Sequence, residues 1–147
     1  MSAASPSAHP PPGRELAAVL GVIALGGAIG SLLRYQATLI WPNPVGTFPS
    51  TVLLVNVVGC LVIGAFMVII TELRTTHHLI RPFVGTGVLG GFTTFSTYSL
   101  DILQLVRTGH PGQALGYLSL TAVGAMVAVF AGMLGMRRLA IAFSWER

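Results

Sequence analysis

Lysine is absent from this chain of 147 residues, and only 8% of its residues carry a formal charge, as 8 arginines and 4 acids. A soluble domain carries about 25% charged residues, so the composition excludes a solvated globular surface. Cysteine occurs once, at Cys60, which excludes an intrachain disulfide and reads as a small packing residue in an apolar run. No basic patch with interleaved aromatics is present, so the net charge of +4 does not point to nucleic acid. The arginines instead flank apolar segments, as expected where charge orients membrane spans.

What remains is 53% hydrophobic residues in four long gaps between charges. A spanning helix needs about 20 mostly apolar residues, and each gap accommodates one. The expectation is an all-α integral membrane protein with a single transmembrane domain over 14–138 and spans at 16–40, 48–71, 82–106 and 112–136. A disordered Pro, Ser and Ala rich tail covers 1–13 and a C-terminal tail covers 139–147. Arg14, Arg74, Arg81, Arg137, Arg138 and Arg147 fall on one side, and Arg34 and Arg107 on the other, which favours cytoplasmic termini. His77 and His78 in the second loop lack a third ligand at metal spacing and read as an exposed pair.

The first span carries Gly26, Gly27 and Gly30, a small-residue face suited to close approach by another helix. The third holds four glycines and six Ser or Thr among the 19 uncharged residues between Arg81 and Asp101. Each unpaired backbone group in hydrocarbon costs several kcal/mol, so an unwound stretch there must be buried in protein or line a polar cavity. A break near Gly90–Gly91 would turn carbonyls toward one locus, an arrangement that suits a small cation. Around it cluster the hydroxyls of Thr93, Thr94, Ser96, Thr97 and Ser99. Phe95 and Tyr98, three apart, share a face, either as ordinary packing or as ring edges that contact an anion. Asn56 is the one strongly polar residue of the second span and needs an interhelical partner or a water-filled path.

Three motifs, GGxxGxxxRY at Gly26–Tyr35, GTxxxTxxxVNxxG at Gly46–Gly59 and GxxGGFTTFSTY at Gly87–Tyr98, occur in this order. In them the chain resembles the small bacterial fluoride channels called Fluc or CrcB. The resemblance implies four helices with the third broken mid-membrane, in an antiparallel, dual-topology dimer in the bacterial cytoplasmic membrane. It implies two pores for passive fluoride export at the dimer interface, and a structural Na⁺ on the carbonyls of Gly90 and Thr93. By position, the fluoride path would use Asn56, Phe95, Ser96, Thr97, Tyr98, Tyr117 and Thr121, with Arg34 as the motif arginine at a vestibule. Tyr98 stands where the family motif usually has Phe, so its hydroxyl either donates to fluoride or reshapes that half of the pore. The arginine asymmetry leaves open an identical partner or an oppositely inserted paralogue. Proton-coupled drug export is the rival, with Asp101 as its one candidate carrier in the third span. A non-transporting assembly subunit is another. An enzyme lacks an evident base beside Ser96 or Ser99.

Overall fold

A computed structural model describes residues 12–73 and 77–144, and every regular element among them is helical. Helix α1 spans Pro12–Ile40 and stops where Pro42 removes the next amide donor. Asn43 opens the following helix: its Oδ1 accepts from the Thr51 amide at 3.1 Å, and its Nδ2 donates to Ser50 Oγ at 3.0 Å. That helix, α2, covers Ser50–Val68 and continues through a π-wound turn at Ile69–Leu73.

The third expected span is composite. Its first half, α3, is π-wound over Arg81–Leu89 and tightens to an α-turn at Gly90–Phe92. Thr93 is extended, with φ −71° and ψ 154°. The second half, α4, then runs regularly over Ser96–Arg107. Gly109, at φ 82°, adopts the left-handed conformation that ends α4. The His110 amide reaches back to the Leu105 carbonyl at 2.9 Å in the wrap characteristic of a glycine cap. Pro111 opens α5, Pro111–Ser144, at the position where its missing N–H costs nothing.

Two seams hold the bundle together, and both are made by glycine. On the first, a methyl at Gly30 would run into the Val88 carbonyl, and one at Gly87 would stand 2.9 Å from the Gly26 Cα. The small face anticipated on α1 thus meets α3. On the second, Gly64 of α2 backs onto the Val129 carbonyl of α5, and Gly132 of α5 onto the Leu61 carbonyl. Lipid chains are as apolar as leucine, so helix association relies on this close backbone packing.

A small core of Val52, Tyr98, Leu105, Ala114 and Tyr117 gathers α2, α4 and α5 near the Gly46 and Gly109 turns. At the opposite end Arg137 of α5 bonds Glu72 at the end of α2. Large apolar side chains such as Leu20, Leu25 and Leu32 on α1 and Val123, Met126 and Val127 on α5 are exposed. Three helical stretches, Gly13–Ile40, Ser50–Glu72 and Pro111–Ala142, are long and apolar enough to cross a membrane. The segment 81–107 does not qualify because Thr93 divides it.

Two boundaries differ from expectation. Most of the presumed C-terminal tail is helical, because Leu139, Ala140, Ile141 and Ala142 extend the apolar helical run beyond Arg137 and Arg138. At the other end α1 starts at Pro12, inside the presumed tail 1–13; residues 1–11 lie outside the described residues, as do Arg74 and Arg147.

Candidate functional site

The interruption between α3 and α4 releases backbone groups, and Asn56 takes two of them. The Thr94 amide donates to Asn56 Oδ1 at 2.8 Å, and Asn56 Nδ2 donates to the Thr94 carbonyl at 3.1 Å. A side-chain amide here substitutes for a peptide partner, and both residues are buried. Left unpaired, each Thr94 group would cost several kcal/mol in apolar surroundings. The Gly91 carbonyl lies 3.5 Å from Ser31 Oγ of α1. Gly90 is different. In an unbroken α-helix its carbonyl would accept from the Thr94 amide, which is bonded to Asn56 instead.

The Thr94 side chain organises the start of α4. Its Oγ1 accepts from the Thr97 amide at 3.2 Å and lies 3.1 Å from Thr97 Oγ1 and 3.3 Å from Ser96 Oγ. One residue is thereby held by α2 through its backbone and holds α4 through its hydroxyl. Composition displayed Thr94 only as one hydroxyl among five. Its pivotal position follows from the extended backbone at Thr93, which no residue pattern specifies.

Beside this junction lies an open groove of ≈ 280 Å³ lined by Asn56, Cys60, Thr94, Phe95, Tyr98, Thr121, Ala122 and Ala125. Four residues anticipated for an ion path, Asn56, Phe95, Tyr98 and Thr121, meet here. No lining residue is charged. The Phe95 and Tyr98 rings pair at 5.8 Å between centroids with planes 49° apart. Phe95 is 79% exposed, so in a membrane its ring meets either lipid or another protein surface. The Tyr98 hydroxyl donates to the Leu118 carbonyl of α5 at 3.0 Å. Thr121 Oγ1 is buried and has no hydrogen-bond partner among the described residues.

The other anticipated residues stand apart from the groove. Tyr117 is fully buried, packs at 5.3 Å from the Tyr98 ring and edge-on at 5.5 Å to Phe48, and donates to Asp101 Oδ2 at 3.2 Å. Ser96 and Thr97 sit at the α4 start, bonded to Thr94. Arg34 is partly buried on α1 and forms no ion pair among the described residues. His77 and His78 are exposed with stacked rings, and no group of three metal-binding side chains occurs among the described residues. Cys60 is the groove residue that sequence reasoning missed as a site; its spacing of four from Asn56 places both on one helical face.

Comparison with known proteins gives a consistent result. Residues 21–133 match the family described as CrcB-like protein, Camphor Resistance (CrcB). The chain is 61% identical over 105 residues to "Fluoride-specific ion channel FluC 2" of Streptomyces avermitilis, covering 71% of this chain and 66% of that protein. It is 52% identical over 126 residues to "Fluoride-specific ion channel FluC 1" of Streptomyces coelicolor, covering 86% and 82%. A third relative, "Fluoride-specific ion channel FluC 2" of Nocardia farcinica, is 50% identical over 115 residues, covering 78% and 82%. The names of these relatives are those of channels and not of enzymes. With more than half of its length matched, the chain belongs to the CrcB-like family.

Proposed function

We propose that this protein is a fluoride-selective channel that lets the ion leave the cell passively across the bacterial cytoplasmic membrane, relieving its toxicity. The observation that carries this reading is the uncharged groove in which Asn56, Phe95, Tyr98 and Thr121 come together. Fluoride is a small, strongly hydrated hydrogen-bond acceptor, so a path for it must replace water with donors yet bind weakly enough to release it. The second N–H of Asn56 and the positive ring edges supply such contacts, and Thr121 lines the same groove. A full positive charge in the groove would hold the ion too long. Ser96 and Thr97 continue the polar path, and Tyr117 and Arg34 shape its approaches. The names of the relatives support the choice of ion.

The groove is open on one side, and the exposed Phe95 ring marks where a second subunit would cover it. Two chains inserted in opposite directions would complete two such paths along their interface. The partner is either an identical chain or a paralogue, since relatives carry numbered names and the arginines are unevenly distributed between the two sides. The chemistry at Gly90 and Thr93 fits a structural Na⁺ at the dimer centre. The Gly90 carbonyl has lost its helical amide, and the extended Thr93 directs its own away from the helix axis. Two carbonyls from one chain do not complete the oxygen shell of a hard cation, and a twofold-related copy would double them.

The test is efflux from liposomes containing this chain alone, recorded with a fluoride-selective electrode. Fluoride efflux at neutral pH with chloride retained is expected. Equal release of both anions, or efflux only under a proton gradient, would overturn the proposal.

A further inference from the structure

Asn56 pairs with two peptide planes at once. The Thr94 amide belongs to the plane shared with Thr93 and the Thr94 carbonyl to the plane shared with Phe95, and the carboxamide bonds both, at 2.8 Å and 3.1 Å. The Thr94 backbone angles set the tilt between these planes, so the tilt of the carboxamide follows them. One N–H of Asn56 is spent on the carbonyl, and the other is left for the groove that Asn56 lines.

The backbone before Thr94 is held by its neighbours. Thr93 Oγ1 donates to the Leu89 carbonyl at 2.9 Å, and the Thr93 methyl occupies the notch at Gly59, where a Cβ would collide with it. Gly59 is three residues from Asn56 and on the same face of α2. The backbone after Thr94 is held from within. Thr94 Oγ1 accepts from the Thr97 amide at 3.2 Å, as a threonine does when it caps a helix, and lies 3.1 Å from Thr97 Oγ1. The ring of atoms closed by that bond includes the Cα–C bond of Thr94, so it fixes the direction of the carbonyl.

We propose that the Thr94 hydroxyl is a positioning group for the ion: by holding the Thr94 carbonyl it aims the free N–H of Asn56 into the groove and thereby sets the preference for fluoride over chloride. The inference rests on the fluoride reading of this groove. A small anion gains most from donors that keep their place at short range, whereas a donor free to swing back admits a larger one at little cost. Without the hydroxyl, the carbonyl and the carboxamide swing together, so their mutual bond survives while its direction is lost.

The experiment measures fluoride and chloride efflux from liposomes containing the full-length protein, with the thermal midpoint in detergent read on the same preparation. Thr94→Val keeps the shape and removes the hydroxyl, and the fluoride-to-chloride ratio is expected to fall about tenfold, the weight of one helix cap of ordinary strength. Thr94→Ser returns the hydroxyl and is expected to recover most of that ratio. Thr108→Val, which loses a hydroxyl bond to the Gln104 carbonyl at the far end of α4, is expected to keep the wild-type ratio. Asn43 and Asn56 are the two asparagines of the chain, so selective isotope labelling separates their side-chain amides by NMR. Fluoride is expected to shift the Asn56 signal in the wild type and in Thr94→Ser and to leave it unmoved in Thr94→Val. A Thr94→Val ratio equal to that of the wild type with only the thermal midpoint lowered, or a Thr94→Ser ratio no better than that of Thr94→Val, overturns the proposal. So does a fluoride-selective wild type whose Asn56 signal ignores fluoride, a result that needs no variant to fold. A wild type that releases no fluoride, or both anions equally, refutes the fluoride reading itself, and with it the role of Thr94.

Discussion

The two halves of the segment 81–107 differ in almost every respect. The first, 81–92, is wound wide, carries Gly85, Gly87, Gly90 and Gly91, and lies against α1 with backbone on backbone. The second, 96–107, is a regular α-helix whose Tyr98 and Leu105 are buried in the core shared with α2 and α5. The first is fixed by what its residues lack, and the second by rings and hydroxyls with specific partners. Between them the chain leaves one partner helix for another, and three residues absorb the change. Such a junction releases main-chain donors and acceptors, and the polar residues nearby are there to receive them.

The sharpest way to break this arrangement is at Asn56. Asn56→Asp loses the Nδ2 donor that meets the Thr94 carbonyl and puts a carboxylate beside an anion path. Fluoride efflux should fall at least about a hundredfold, corresponding to about 2.7 kcal/mol or more, when read from liposomes with an electrode. Efflux within twofold of wild type would remove Asn56 from the route.

The glycine seam gives the next effect. Gly30→Ala drives a methyl into the Val88 carbonyl, whereas Gly27→Ala meets nothing within 4 Å. The first should destabilise by about 1–3 kcal/mol and the second should leave the thermal midpoint in detergent near that of wild type. Equal shifts would mean that α1 and α3 do not pack as described.

In the second half, Tyr98→Phe removes only the bond to the Leu118 carbonyl and leaves the ring. A loss of about 0.6–1.7 kcal/mol is expected from denaturant titration, with efflux retained because the ring edge is the group proposed to face the ion. Abolished efflux would instead assign the hydroxyl to the ion.

Smallest of all is Arg137→Gln, which breaks the exposed pair with Glu72 at the bundle end. Exposed pairs contribute little, so neither melting nor efflux should move measurably. A clear drop would show that this end is buried in the assembled protein.

Charge gaps made the four helical segments legible, and Gly26, Gly27 and Gly30 announced a close helix contact. Asn56, Phe95 and Tyr98 stood out because their residue types are costly or distinctive in an apolar setting, whereas Thr121 entered through the family resemblance. The Thr94 clamp was not legible, since it is a backbone pairing and depends on an extended Thr93 that composition does not encode. Tyr117 illustrates the opposite case. The family resemblance placed it on the ion path, whereas its hydroxyl donates to Asp101 and its ring packs in the core. The helical end of α5 was missed because two adjacent arginines resemble a terminus even when apolar residues resume beyond them.

The Asn56–Thr94 pairing also separates two kinds of mutational freedom. Because a lone carboxamide bridges the gap in the main chain, the contour of the groove is stored at one codon. Exchanges at Ala122 or Ala125 can retune width and polarity without unravelling any turn. A glutamine at position 56 offers the same chemistry one methylene further out, so the site is guarded by reach as strictly as by polarity.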